Sequence, residues 1–198
     1  MPLLKTSFIN KIILFLAAAM FSFSATAVDF NQTQRLANQG VAEAQAMLGL
    51  FYVEGKGVRQ DYAKAAEWYE RAANQGDTGA QYFLGSLYHE GKGVRQDYTK
   101  AAEWYEKAAN QGEDAAQYLL GQLYSNGLGV LQNYATARKW HEKAARQGNA
   151  LSQAVLGTMY YEGKGVRQNY ATAKEWFGKS CDNGNQSGCD LYKYLNQR

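Results

Sequence analysis

The chain has 198 residues, with 21 Lys and Arg against 18 Asp and Glu, a net charge of +3 and two cysteines. Residues 1–27 hold two lysines and no acidic residue, so the rest of the chain carries 19 basic against 18 acidic side chains. This balance lacks the concentration of basic residues that nucleic-acid binding requires, and it argues against that class of function.

The N-terminal segment has the pattern of a secretory signal peptide. Lys5 and Lys11 accompany an apolar run over residues 12–23, and residues 25–27 (Ala-Thr-Ala) form a small-x-small cleavage site. The run is shorter than the roughly 20 apolar residues of a membrane span. We therefore predict a signal peptide over residues 1–27, cleaved after Ala27, and a periplasmic or secreted mature protein that is not inserted in a membrane.

The remaining sequence repeats every 36 residues. A tryptophan marks the period at Trp68, Trp104, Trp140 and Trp176, and a glycine marks it at Gly49, Gly85, Gly121 and Gly157. The repeat predicts an N-terminal half-repeat helix (28–43), four full units (44–79, 80–115, 116–151 and 152–187) and a C-terminal capping helix (188–198). A pair of short helices cannot bury both of its faces alone, so stacked units must supply a continuous core.

Each unit predicts two helices. In the first helix of unit one, a buried stripe is indicated by the spacing of Met47, Leu48, Phe51 and Tyr52. The glycine of each first helix indicates close contact with a neighbouring helix, and an EGKGVRQ loop ends the helix in three of the units. The second helix begins at an N-cap residue in every unit, at Asp61, Asp97, Asn133 and Asn169. The recurring tryptophans predict packing between layers in the core.

These residues together resemble a known family. The pattern A-x-x-x-L-G-x-x-Y-x-x-G-x-G-V-x-x-[DN]-x-x-x-A-x-x-W-x-x-x-A-A-x-x-G is similar to the Sel1-like repeat, a relative of the tetratricopeptide repeat. The resemblance implies an all-α fold, a right-handed α/α superhelical solenoid. Unit three departs from the pattern in its loop, where Leu128 and Leu131 replace the lysine and arginine of the other units.

Cys181 and Cys189 lie at the junction between the last unit and the capping helix. In an exported protein such a pair favours a structural disulfide over a metal site or a nucleophile. A redox-active pair is the alternative, but the C-x-x-C spacing is missing. The spacing is similar to that of the Helicobacter cysteine-rich proteins, and a bridge here would hold the terminal helix in place.

The sequence offers little catalytic machinery. Its two histidines, His89 and His141, belong to different units, and His141 takes the place of an aromatic residue that packs in the repeat core. No zinc-protease, phosphate-loop or G-x-S-x-G motif occurs. Some cysteine-rich relatives have been linked to β-lactam binding or hydrolysis, yet neither S-x-x-K nor K-T-G is present. We therefore expect a protein that is not an enzyme and that holds no metal and no cofactor.

A candidate binding surface emerges when the units are compared with one another. The positions of the first helix that vary between units have the spacing i, i+3, i+7 and i+10, which places them on one helix face. In superhelices of the resembled family the first helix lines the concave surface. The predicted groove comprises Ala46, Leu50, Val53, Tyr82, Ser86, His89, Tyr118, Gln122, Ser125, Thr158 and Tyr161.

Two classes of function follow from this sequence. The first is an exported, monomeric scaffold whose groove binds a protein or peptide of the cell envelope or of a host, since aromatic side chains carry much of the energy of interfaces. The second is a cell-wall (peptidoglycan) or β-lactam-binding protein with weak hydrolytic activity.

Overall fold

The computed structural model describes residues 29–197, and within that range all regular structure is α-helical. The predicted signal peptide, residues 1–27, lies outside the described residues. The helices are α1 (Phe30–Asn38), α2 (Ala42–Glu54), α3 (Tyr62–Asn74), α4 (Thr78–Glu90), α5 (Tyr98–Asn110), α6 (Asp114–Asn126), α7 (Tyr134–Arg146), α8 (Ala150–Glu162), α9 (Tyr170–Asp182) and α10 (Gln186–Asn196). Each helix packs against its neighbours in the chain, which confirms the all-α solenoid.

In this order α2, α4, α6 and α8 are the first helices of the four units, and α3, α5, α7 and α9 are the second helices. The predicted N-caps of the second helices are confirmed. For example, the carboxylate of Asp97 accepts a hydrogen bond from the backbone N–H of Lys100, and Asn133 does the same for Thr136. The first helices end on a glycine in the left-handed conformation, such as Gly91 with φ +70°, which a residue with a Cβ adopts only under strain.

The glycine inside each first helix lies against an aromatic ring of the second helix. A Cβ added at Gly85 would stand 2.8 Å from ring carbons of Tyr105, and one at Gly157 would stand 2.5 Å from the ring of Phe177. The rings themselves are buried, with Tyr105 only 1% exposed. The predicted close contact between helices is therefore confirmed, and the absence of a side chain at this position makes it possible.

A buried glutamine links three consecutive helices in every unit. Gln81 of α4 donates from Nε2 to the carbonyl of Ala73 in α3 at 3.1 Å, and its Oε1 accepts from Gln111 after α5 at 2.7 Å. The same pair of bonds recurs at Gln45, Gln117 and Gln153. All four glutamine side chains are buried, so an amide group without these hydrogen bonds would destabilise the folded state.

The disulfide replaces this glutamine bond at the end of the solenoid. Cys181 and Cys189 are bonded, with their Cα atoms 4.4 Å apart, which confirms the predicted bridge. They occupy the positions that Ala145 and Gln153 hold one unit earlier, where the glutamine donates to the carbonyl eight residues before it. A covalent bond therefore connects α9 to α10 where no further unit follows within the described chain.

The tryptophans are less buried than the repeat predicted. Trp140 is 9% exposed, whereas Trp68, Trp104 and Trp176 are half-buried. Each packs one face on the apolar core and carries a cation on the other, as Lys107 does over Trp104 at 3.7 Å and Lys143 does over Trp140 at 3.8 Å. All four rings pack against the core as predicted, but three of them are only half-buried, and in every unit a cation three residues later covers the outer face of the ring.

His141 is fully buried and occupies the position at which the other units place an aromatic ring against the glycine of the first helix. It is 0% exposed, its Nδ1 lies 3.4 Å from the Oγ of Ser152, and its ring faces Gly121. Burial lowers the pKa of His141 from 6.5 to about 4, because the charged form would lose its hydration. The histidine is therefore neutral at pH 7, and its burial confirms the core position that the repeat comparison predicted.

We predict that Gly85→Ala lowers the free energy of unfolding by about 1–2 kcal/mol, because the new methyl group must displace the buried ring of Tyr105. The matched control is Gly79→Ala in the same helix, where a Cβ meets only the carboxylate of Asp77 at 3.5 Å. The control should be neutral or up to about 1 kcal/mol more stable, since alanine favours the helix. Urea unfolding of both variants measures the difference, and equal effects would contradict the contact.

We also predict that His141 makes the fold sensitive to acid. The unfolded chain binds a proton near pH 6.5 and the folded chain near pH 4, so stability is complete above pH 6.5 and falls as the pH drops towards 4. Between pH 7 and pH 4.5 the loss from this residue should be about 2–3 kcal/mol. His141→Phe, which copies Phe177, should remove this part of the loss in urea unfolding at the two pH values. An unchanged loss would contradict the assignment.

Candidate functional site

The eleven predicted groove residues lie on the first helices and are neither fully buried nor fully exposed. Each is half-buried, in contrast to the recurring positions of the same helices, which include Leu48, Leu84, Leu120 and Leu156 and are at most 1% exposed. The face that varies between the units is thus accessible on all four first helices. Solvent access is the first requirement of a binding surface.

The structure brings groove residues of neighbouring units together in shallow hollows. Between α2 and α4, one hollow joins Ala46 and Leu50 to Phe83, and a second joins Val53 to Tyr82. Between α6 and α8, a third hollow contains Gln122, Ser125 and Thr158 together with Leu191 of α10.

Three predicted residues lie apart from these hollows. His89 packs against two tyrosine rings, with centroids 5.3 Å from Tyr98 and 6.2 Å from Tyr105. Tyr118 lies 5.7 Å from the ring of His141, and its hydroxyl accepts a hydrogen bond from Gln122 at 3.1 Å. Tyr161 belongs to a separate hollow near the C-terminus with Tyr170 and Lys174. The predicted set therefore forms an extended face rather than one compact site.

An aromatic row runs across units one and two. The rings of Tyr69 and Phe83 stack at 5.4 Å with an interplanar angle of 19°, and Phe83 meets Tyr82 edge-on at 5.1 Å. Tyr82 in turn lies 6.2 Å from Tyr105. Phe83 is 42% exposed, so this row presents a large apolar surface to solvent.

The sequence comparison missed Phe83. Its equivalents in the other units are Met47, Leu119 and Val155, and an apolar residue at every copy is typical of core. The structure corrects that interpretation, since Met47 is only half-buried and Phe83 is exposed. The unusual size of phenylalanine among these four residues was the available signal.

The first helices carry negative charge without any positive charge. Between residues 42 and 182 every lysine and arginine lies in a second helix or in a loop. The carboxylates of the four first helices are Glu43, Glu54, Glu90, Asp114 and Glu162. Two of them pair with loop lysines, Glu90 with Lys92 at 2.6 Å and Glu162 with Lys164 at 2.7 Å.

Histidine, cysteine and acidic side chains are spread over residues 29–197. Across this range no group of three or more histidine, cysteine, aspartate or glutamate side chains could hold a metal ion. The described cysteines are both in the disulfide. No helix of the described chain has the length and apolar character needed to cross a membrane.

The 36-residue repeat matches a known protein family. The Sel1 repeat family matches residues 42–77, 78–113, 114–149 and 150–185, in units of the same length that start two residues before those taken from the sequence. No curated protein matches the chain.

Several solved structures share the fold. The chain is similar to c5321, a protective antigen of uropathogenic Escherichia coli with an SLR fold, at 41% identity and a TM-score of 0.83 over 85% of this chain. A Sel1 repeat protein of Oxalobacter formigenes is 32% identical, with a TM-score of 0.75 over 78% of this chain. The chain spans 36% of the length of the first and 61% of the second.

Helicobacter pylori cysteine-rich protein B is a further relative in structure, at 26% identity and a TM-score of 0.54. The match covers 69% of this chain and 98% of that protein. Four repeat matches cover more than half of the sequence, and their bounds follow the helix pairs of the structure. The chain belongs to the Sel1 repeat family.

Proposed function

We propose that this protein is an exported, non-catalytic scaffold, and that the exposed face of α2, α4, α6 and α8 binds a protein or peptide of the cell envelope or of a host. Sel1-repeat proteins generally act as scaffolds for protein interaction, and their fold is typically non-catalytic.

One observation carries the proposal. The eleven groove residues stand at positions that differ between units, and these half-buried side chains occupy the same face of four successive helices. The positions that recur are buried or form the caps and links of the frame. A surface that is freed from packing and furnished with tyrosine, histidine and phenylalanine suits the recognition of a polypeptide, because aromatic residues are enriched in interfaces.

Export is supported by the disulfide. Such bonds form and persist in the periplasm and outside the cell, and they are rare in a reducing cytosol. The bridge between Cys181 and Cys189 therefore agrees with the signal peptide predicted over residues 1–27 and with a periplasmic or secreted location. We further propose that the mature protein acts as a monomer without a cofactor.

Photo-cross-linking in cells tests the proposed surface. A photoreactive residue at Tyr82 or Tyr118 should give the same cross-linked partner from both positions, because both side chains lie on the groove face. The matched controls are Glu67 and Glu103, which are exposed on the second helices of the same units. Mass spectrometry then identifies the cross-linked protein.

The partner should be captured at least tenfold less by the variant Tyr82→Ala/Tyr118→Ala, since loss of a single interface hot spot costs about 2 kcal/mol or more. Circular dichroism serves to show that its helices are retained. Equal cross-linking from the control positions, or full capture by a folded double variant, would contradict the groove.

A further inference from the structure

Tyr69 has a buried hydroxyl group that the repeat leaves without a partner. The equivalent Tyr105 donates its hydroxyl to the Oγ of Ser86 at 3.2 Å. In unit one the position of Ser86 is taken by Leu50, and the hydroxyl of Tyr69 makes no hydrogen bond within the described chain. A buried hydroxyl without a partner is unfavourable, and it is rare in folded proteins.

This hydroxyl belongs to a side chain that lines two hollows of the groove face. Tyr69 is 1% exposed and forms part of both, and Phe83 lies over its ring and contributes to both hollows. The hollow with Ala46 and Leu50 is predominantly apolar, and the one with Val53 and Tyr82 is more mixed. An apolar surface with one unsatisfied donor is the usual composition of a site that orients a ligand.

Charge around the two hollows is mainly negative. Glu43 and Asp77 line the first, and Glu90 lines the second beside its ion-pair partner Lys92. Glu54 is close enough to Tyr69 to raise the pKa of its hydroxyl, although burial is the larger cause of that rise. The hydroxyl therefore stays protonated and acts as a donor, and an anionic ligand would meet repulsion here.

We propose that the hollows beside Phe83 form a subsite for a basic, apolar-containing segment of the partner polypeptide. An apolar side chain of this segment packs beside Phe83. A carbonyl oxygen of the segment accepts a hydrogen bond from the buried hydroxyl of Tyr69 after the side chain of Leu50, which stands where Ser86 meets the Tyr105 hydroxyl, has turned aside. A lysine or arginine next to it in the partner sequence lies against Glu43. This inference rests on the proposed scaffold function and adds the chemistry of the partner to it.

Selection from a phage-displayed library of random peptides tests the subsite on the full mature chain. The peptides enriched on the wild-type protein should combine lysine or arginine with an aromatic or aliphatic residue. Their affinity is then measured by fluorescence anisotropy for the wild type and for three single variants. Tyr69→Phe removes only the donor, Glu43→Gln removes only the charge, and Tyr105→Phe is the matched control in the next unit.

Tyr69→Phe should weaken peptide binding about fivefold to tenfold, as expected for the loss of one hydrogen bond in a buried setting. Its stability towards urea should be unchanged or higher, because the lost hydroxyl has no partner in the free protein. Glu43→Gln should weaken binding about twofold to fivefold, and less so at high salt. Tyr105→Phe should leave the affinity unchanged, since its hydroxyl is already bonded to Ser86.

Enrichment of acidic peptides, or wild-type affinity in both Tyr69→Phe and Glu43→Gln, would overturn the subsite. If the selected peptides nevertheless bind the variant Tyr118→Ala more weakly than the wild type, the groove function stands and only the subsite fails. A library that gives no binder to the groove face also overturns the subsite. Cross-linking from Tyr82 and Tyr118 then decides the scaffold function on its own, so the two failures are distinguishable.

Discussion

The structure depends on the buried glutamine that ties each first helix to the second helices on either side of it. Gln81 and its equivalents donate to the last turn of the preceding helix and accept from the glutamine or asparagine that ends the following one. A unit on its own has no partner for the first of these bonds, because the accepting carbonyl, such as that of Ala73, belongs to the preceding unit. Units therefore stabilise one another, and the solenoid behaves as a series of nearest-neighbour contacts. Where the series ends in the described chain, a disulfide occupies the position of the glutamine bond.

This arrangement separates the residues that hold the frame from those available to a partner. The glycine–ring contact, the glutamine links and the alanines between helices are all on the inner side of the first helices or on the second helices. On the groove face the bond that recurs in every unit runs from a loop glutamine to a backbone carbonyl, as from Gln96 to His89, so the side chains there vary without loss of the fold. Their variation produces one aromatic row in units one and two and one unsatisfied hydroxyl at Tyr69. The proposed binding function therefore depends on the positions at which the units carry different residues.

Much of the fold could be predicted from the sequence because its determinants are local and repeated. N-caps such as Asp61, the helix-ending glycines and the cysteine pair act over a few residues, and each was confirmed. The exposure of Trp104 and Phe83 depends on the side chains that cover them, some of which come from other helices. The spacing of residues along the sequence does not identify those side chains. Tyr69 could not be singled out for a similar reason. The structure shows that its equivalent Tyr105 donates to Ser86, and only then does the leucine at the equivalent position 50 reveal that Tyr69 lacks this hydrogen bond.

The most direct test of this account is hydrogen exchange of the variant Gln117→Met, which removes the link at the centre of the solenoid without a large change in volume. We expect the free energy of unfolding to fall by about 1–3 kcal/mol, because the buried carbonyl of Ala109 and the amide of Gln147 lose a partner. The amide protons of units three and four should then exchange at a lower opening energy than those of units one and two. Uniform exchange along the chain with unchanged stability would contradict the claim that the glutamine links couple the units.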